Sequence, residues 1–132
     1  MTATLDTNLL LRLALRDIPE QYIAVRDLVT APGARYRVTD TSVAEVVHAL
    51  LHHYAMSRPQ AAEIARAIIW DGAIEASSPF LDAVLTLFTT RNGLSFTDCY
   101  LAEEARASGN VPLLTFDKKL AAGHPDAELL GS

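Results

Sequence analysis

Apolar positions recur along the 132-residue chain in patterns that predict alternating strands and helices. One stripe has the three- and four-residue spacing of a buried helix face, and it consists of Val43, Val46, Val47, Leu50, Leu51 and Tyr54. A second stripe, within a helix predicted over residues 79–90, consists of Leu81, Val84, Leu85 and Phe88. Further helices are predicted over residues 9–15, 19–30, 59–70 and 96–107, with a short one after Asp117.

Short segments between these helices predict strands, and they cover residues 2–5, 35–39, 73–76, 112–116 and 128–130. The run 112–116 is mainly apolar without alternation, which is typical of a buried parallel strand. Strands that alternate with helices predict an α/β fold with a mostly parallel central sheet flanked by helices. No linker divides the chain, so we expect a single domain over residues 1–132.

Composition narrows the possible functions. The formal net charge is −5, which argues against coating nucleic acid by charge alone, although carboxylates that bind metal would also make a protein acidic. The single cysteine, Cys99, excludes an internal disulfide and suits a reducing cytoplasm. The apolar stretch 9–15 contains Arg12 and is too short to span a bilayer, and the first residues lack a basic leader, so we expect a cytoplasmic protein without a membrane partner.

Acidic residues lie at the points where ligands bind in such folds. Asp6 and Asp117 follow predicted strands, and parallel sheets bind ligands beyond the carboxyl ends of their strands. Glu45 and Asp98 lie near predicted helix starts. Each acid also has an ordinary interpretation as a helix cap: Asp6 and Asp117 as N-caps, and Glu45 and Asp98 through capping-box spacing to Ser42 and Ser95.

Several acids at the same edge of the sheet, beyond the carboxyl ends of its strands, would suit phosphodiester cleavage by a bound metal ion. Helix N-termini keep carboxylates ionised, as metal ligands must be. Mg²⁺ and Mn²⁺ prefer oxygen ligands. Such ions supply a hydroxide-like nucleophile and stabilise the leaving oxygen, so no side-chain base is then required.

Four short motifs resemble the PIN-domain family, and especially the VapC-like toxins of bacterial toxin–antitoxin pairs. They occur in the family's order over nearly the whole chain, as Leu5-Asp6-Thr7-Asn8, Ser42-Val43-Ala44-Glu45, Phe96-Thr97-Asp98 and Leu114-Thr115-Phe116-Asp117. The resemblance implies a PIN-like fold with helices around a parallel sheet. It also implies Mg²⁺- or Mn²⁺-dependent endonucleolytic cleavage of RNA.

The resemblance further implies roles for particular residues and partners. Asp6, Glu45 and Asp98 would be the core metal ligands and Asp117 the fourth acid of the site. Asn8 and Thr115 match positions that commonly support it. VapC-like proteins are usually homodimers, and a small VapB-like antitoxin neutralises them by inserting its tail into the cleft.

Basic side chains near the acids are candidate contacts for RNA phosphates or for an acidic antitoxin segment. Arg12 and Arg16 lie one helical turn apart, and Lys118 and Lys119 directly follow Asp117. A solvated surface explains each pair equally well.

Other motifs carry alternative functions. Glu45 and His48 form one Glu-x-x-His pair, whereas carboxylate-bridged di-iron bundles use two. Cys99 lacks an obvious partner base, which favours a small buried side chain over a nucleophile. A phosphotransfer domain of the receiver or phosphatase type would need a second acid near Asp6, where Thr7 and Asn8 stand. A non-catalytic interaction module of the PIN fold, with the acids serving only as caps, remains open.

Overall fold

The computed structural model describes residues 2–131. Its contacts divide the chain between Pro79 and Phe80 into two compact units. The first unit contains β1 (Ala3–Thr4), α1 (Thr7–Leu15), α2 (Pro19–Thr30), β2 (Tyr36–Val38), α3 (Asp40–His52), α4 (Arg58–Ile69) and β3 (Ile74–Ala76). The second contains α5 (Leu81–Thr90), α6 (Phe96–Ser108), β4 (Leu113–Thr115), α7 (Lys118–Gly123) and β5 (Ala127–Leu129).

The first unit is a three-stranded parallel sheet with helical crossovers. The strand order is β1-β2-β3, and Tyr36 of β2 is in register with both Ala3 and Ile74. Leu5 continues the pairing beyond β1 by donating its backbone N–H to the carbonyl of Arg37. Because parallel strands need crossovers, α1 and α2 connect β1 to β2, while α3 and α4 connect β2 to β3.

The clearest apolar stripe predicted from the sequence is confirmed in α3, but the helix begins and ends at other residues than the pattern suggested. Its buried positions are Val43, Val46, Val47 and Leu50. The helix begins at Asp40, however, with Thr39 as its N-cap, because the Thr39 hydroxyl accepts a hydrogen bond from the backbone N–H of Ser42. The prediction that Tyr54 belongs to the stripe is wrong, because the helix ends at His52 and the Tyr54 ring is exposed.

The second unit places α6 and α7 against a two-stranded parallel sheet of β4 and β5. Leu81, Val84, Leu85 and Phe88 of α5 are buried, as the sequence predicts. Helix α6 ends at the expected cap, Gly109, whose φ of 75° suits glycine.

The predicted burial of the run 112–116 is wrong. Leu114 is 57% exposed and Phe116 is 79% exposed. Successive side chains of a strand point to opposite faces. Leu113 and Thr115 of β4 are half-buried, whereas Leu114 and Phe116 lie on the face open to solvent.

The fold class predicted from the sequence is confirmed, because the described chain is α/β with parallel strands throughout. The strands form one sheet of three and one of two. Within residues 2–131 no helix has the length and apolar character that crossing a bilayer requires.

Candidate functional site

Asp6 caps the first helix of the first unit. It lies between β1 and α1, and its Oδ1 accepts a hydrogen bond of 3.1 Å from the backbone N–H of Leu9. The predicted N-cap is therefore confirmed. Asp6 is exposed, and its other carboxylate oxygen accepts no hydrogen bond from residues 2–131. Capping thus leaves one oxygen available to a ligand.

Glu45 is not a helix cap. The predicted capping box with Ser42 is wrong, because Thr39 caps α3 and Glu45 lies in the second turn. The side chain is exposed, and its Oε2 accepts a hydrogen bond of 3.1 Å from the hydroxyl of Thr7. Since Thr7 directly follows Asp6, this bond brings Glu45 to the N-terminus of α1. This role of Thr7 was not predicted from the sequence, although Thr7 lies within the first motif.

Asp98 forms the predicted capping box at the start of α6 in the second unit. The backbone N–H of Asp98 donates to the Ser95 hydroxyl at 3.1 Å, and Asp98 Oδ2 accepts from the backbone N–H of Ser95 at 3.4 Å. The side chain is half-buried. Its second oxygen accepts no hydrogen bond from the described residues.

Asp117 caps α7, as predicted. Its Oδ1 accepts from the backbone N–H groups of Lys119 at 2.8 Å and Leu120 at 3.2 Å. Thr115 supports this turn, because its hydroxyl accepts from the backbone N–H of Asp117 at 2.9 Å. Asn8, the other predicted supporting residue, is exposed in the first turn of α1.

Each unit therefore presents two of the four acids near helix starts. In the first unit Asp6 and Glu45 flank Thr7, and in the second Asp98 and Asp117 begin α6 and α7. Ionised carboxylate oxygens are the donors that Mg²⁺ and Mn²⁺ prefer, so the donor chemistry fits such an ion. No three His, Cys, Asp or Glu side chains within residues 2–131 are grouped to hold a metal ion. A cluster of all four acids therefore stays a prediction.

Arg12 is engaged within the first unit. It donates from Nη2 to the Tyr54 hydroxyl at 3.0 Å, and its Nε lies 3.4 Å from Asp17 Oδ1. The Nε geometry is that of an ion pair without a hydrogen bond. The Arg12 side chain is only 15% exposed, so binding a phosphate would cost it these contacts.

Arg16 lies just past the end of α1, and its guanidinium lies over the ring of Tyr22. It is the left-handed C-cap of that helix, with φ of 55°, and its guanidinium lies 4.9 Å from the centre of the Tyr22 ring. Arg16 and Tyr22 line a groove of about 340 Å³ between α1, α2 and α4, together with Leu13, Ala14, Arg26, Val29, Thr30, Ile64, Ala67, Ile68 and Asp71. Helix α4 therefore borders this groove with three apolar side chains, those of Ile64, Ala67 and Ile68.

A polar network in the second unit, built on the buried side chains of Glu103 and His124, was not found from the sequence. His124 Nδ1 accepts from the backbone N–H of Asp126 at 3.0 Å, so Nε2 carries the proton and donates to Glu103 Oε2 at 2.9 Å. Arg106 Nε donates to Asp126 at 2.7 Å. The pKa of Arg106 is raised, mainly by this hydrogen bond to Asp126. Burial acts in the opposite direction, and the negative charge of Glu103 raises the pKa further. The network ties α6 to the segment before β5.

Two other residues considered for chemistry, Cys99 and His48, occupy a core position and a surface position. Cys99 is fully buried, as the preferred interpretation of a small core side chain requires. His48 is exposed, with its ring 4.4 Å from that of His52, on the face of α3 that its burial pattern leaves to solvent.

One comparison with known proteins identifies a family. The family model described as PIN domain matches residues 3–123. The matched range contains all four acids and the seven helices found within residues 2–131. No curated protein and no solved structure matches the chain.

Proposed function

The chain belongs to the PIN-domain family, and from this premise we propose that it is a metal-dependent endoribonuclease that cleaves RNA phosphodiester bonds. PIN domains are generally nucleases. The observation that carries the proposal is the set of four acids within the matched range, each held by one carboxylate oxygen with the other left for a ligand. Three are fixed at helix starts by hydrogen bonds from backbone N–H groups.

We propose Mg²⁺ or Mn²⁺ as the cofactor, held by Asp6, Glu45, Asp98 and Asp117. When bound, such an ion lowers the pKa of water and stabilises negative charge on the leaving oxygen. The chain's own contribution is to orient the ligands. The Thr7 hydroxyl fixes one oxygen of Glu45, and the backbone N–H groups at the starts of α1, α6 and α7 fix one oxygen of each aspartate.

We further propose that this nuclease is the toxin of a toxin–antitoxin pair, acting in the cytoplasm as a homodimer. A small VapB-like protein would be its partner. The groove between α1, α2 and α4 supports a partner of this kind, since it combines apolar walls with Arg16 and Arg26, whose guanidinium groups both lie over the Tyr22 ring. An acidic, amphipathic segment would complement that surface.

RNA cleavage by purified protein tests the proposal. The wild-type chain should cut a mixed-sequence RNA with Mg²⁺ or Mn²⁺ and stop when EDTA is added. Glu45→Gln and Asp98→Asn should each abolish cutting. The matched control is Asp27→Asn, which alters an exposed acid of α2 paired with Arg26 and should leave cutting unchanged. Equal activity in all four proteins would overturn the proposal, because trace contaminating nuclease would then explain the cleavage.

A non-catalytic PIN-fold interaction module is the second candidate, and the capping bonds of Asp6, Asp98 and Asp117 favour it. In that case the acids would serve stability alone. Co-expression with the product of the neighbouring gene separates the two functions: a nuclease toxin would arrest growth until its partner is present, whereas a binding module would not. The PIN-domain match gives no support to the phosphotransfer alternative.

A further inference from the structure

Two histidines form a pair on the exposed side of α3, and the proposed nuclease has no use for them. His48 and His52 are four positions apart in this helix, a spacing that makes side chains neighbours. Their ring centres lie 4.4 Å apart, with an angle of 47° between the ring planes. Both residues are exposed. The two imidazoles are therefore close to each other and open to a ligand from solvent.

The ring nitrogens of this pair are not used by other groups of the protein. Neither ring makes a hydrogen bond or an ion pair with any residue in the described range 2–131. By contrast, the buried His124 uses both of its ring nitrogens within the protein. A neutral imidazole keeps one nitrogen without a proton, and this nitrogen is the atom that binds metal ions. His48 and His52 can each offer one such nitrogen.

The spacing of the two rings is that of a metal-binding pair on a helix. Histidines four positions apart bind one zinc ion in the His-Glu-x-x-His motif, because one helical turn brings both rings to the same side. Here Ala49 follows His48, so the glutamate that acts as the base in metalloproteases is absent from the motif. The pair therefore has the ligands of such a site without its peptidase chemistry.

The position of the pair in α3 favours a bound cation. His52 is the last residue of the helix, and the C-terminal end of a helix carries partial negative charge. Glu45, which is exposed, lies three positions before His48 and adds a negative charge nearby. Glu45 is not a third ligand, because no three His, Cys, Asp or Glu side chains within residues 2–131 are grouped to hold an ion.

We propose that His48 and His52 together bind one Zn²⁺ ion, with water in the remaining coordination positions. Zn²⁺ is commonly bound by imidazole nitrogen and has no geometric preference of its own, which suits a site with two protein ligands. The site is separate from the four acids, since carboxylates without imidazole suit Mg²⁺ and Mn²⁺ instead. Bound Zn²⁺ would join successive positions of the last turn of α3, so the proposal concerns this helix and does not depend on nuclease activity.

Titration of the protein with Zn²⁺, followed by isothermal calorimetry, tests the proposal. All proteins lack a polyhistidine tag and carry Asp98→Asn, which removes one of the acids that could also bind the ion. His48→Gln and His52→Gln should each weaken Zn²⁺ binding by at least about tenfold, because a chelate needs both rings. The variant with both substitutions should lose little more than either one alone, since each single substitution already breaks the chelate.

His53→Gln is the matched control. It removes an exposed histidine next to the pair, whose ring centre lies 6.3 Å from that of His48. Because the chelate stays intact, this substitution should change Zn²⁺ binding by no more than about twofold. Circular dichroism in EDTA should show the same helix content in every variant, since all three histidines are exposed.

Four results would overturn the site. The first is absence of Zn²⁺ binding by the parent protein, and the second is equal binding by the parent and either single variant of the pair. The third is a loss in His53→Gln as large as the loss in His48→Gln. The fourth is additive losses at His48 and His52, which would show two independent imidazoles. Because no RNA is used, these outcomes are independent of the proposed ribonuclease function.

Discussion

Asparagine at position 6 separates the capping role of Asp6 from its proposed role as a metal ligand. Asparagine caps helices about as well as aspartate, and its side-chain oxygen can accept the same hydrogen bond from Leu9 that Asp6 Oδ1 accepts at 3.1 Å. It is, however, uncharged and a much weaker ligand for a divalent ion. The Asp6→Asn variant should therefore keep its fold and lose RNA cleavage.

Alanine at the same position removes both roles. Loss of an N-cap costs about 0.5–2 kcal/mol. The Asp6 bond is single and exposed, so we expect about 1 kcal/mol, which lowers the melting temperature by about 3–5 °C in a chain of this size. The Asn variant should remain within about 0.5 kcal/mol of wild type.

Urea and thermal unfolding in EDTA, with RNA cleavage in Mg²⁺, measure the two roles independently. EDTA removes any stabilisation by bound metal, which would otherwise mix the two effects. RNA cleavage at the wild-type rate by Asp6→Asn would contradict the proposed role as a ligand, because the charge would then have no part in catalysis. Equal destabilisation by Asn and Ala would contradict the capping role, because Asn should still accept the Leu9 hydrogen bond.

Three further predictions concern the rest of the chain. Phe88→Ala should cost about 3–5 kcal/mol in urea unfolding because Phe88 is fully buried. Phe116→Ala, at an exposed ring, should change stability by less than about 0.5 kcal/mol, and similar losses for the two variants would contradict the exposure of Phe116. His124→Ala should cost about 3 kcal/mol, because it leaves the buried Glu103 carboxylate without the His124 N–H that donates to it, and a loss below about 1 kcal/mol would show that water replaces the ring. Thr115→Val should slow RNA cleavage with little change in the melting temperature, since it removes only the acceptor for the Asp117 N–H, and an unchanged rate would remove Thr115 from the site.

Local features of the candidate site were the most predictable from the sequence. Asp6, Asp98 and Asp117 have the residue type and spacing of helix starts, and the structure shows each of their caps. Such interactions involve residues two to three positions apart, so the sequence contains both partners. The capping box at Ser42 was wrong because Thr39 and Ser42 are both good N-caps, and the end of β2 at Val38 selects the earlier one.

Features that depend on distant residues were less predictable. The His124–Glu103 pair joins positions 21 apart, and nothing in the local pattern marks it. Arg12 was expected on the surface, but its side chain is mostly buried, with a hydrogen bond to Tyr54 and an ion pair with Asp17. An apolar strand likewise does not reveal which of its faces is covered, which is why the exposure of Leu114 was missed.

Manganese binding tests most directly whether the acids of both units hold one ion. Electron paramagnetic resonance of Mn²⁺ titrated into the protein counts bound ions without any need for RNA. Wild type should bind Mn²⁺, while Glu45→Gln in the first unit and Asp98→Asn in the second should each lose most of that binding, and Asp27→Asn should retain it. If either substitution leaves Mn²⁺ binding intact, or if the wild-type chain binds none, the four acids do not form a shared metal site.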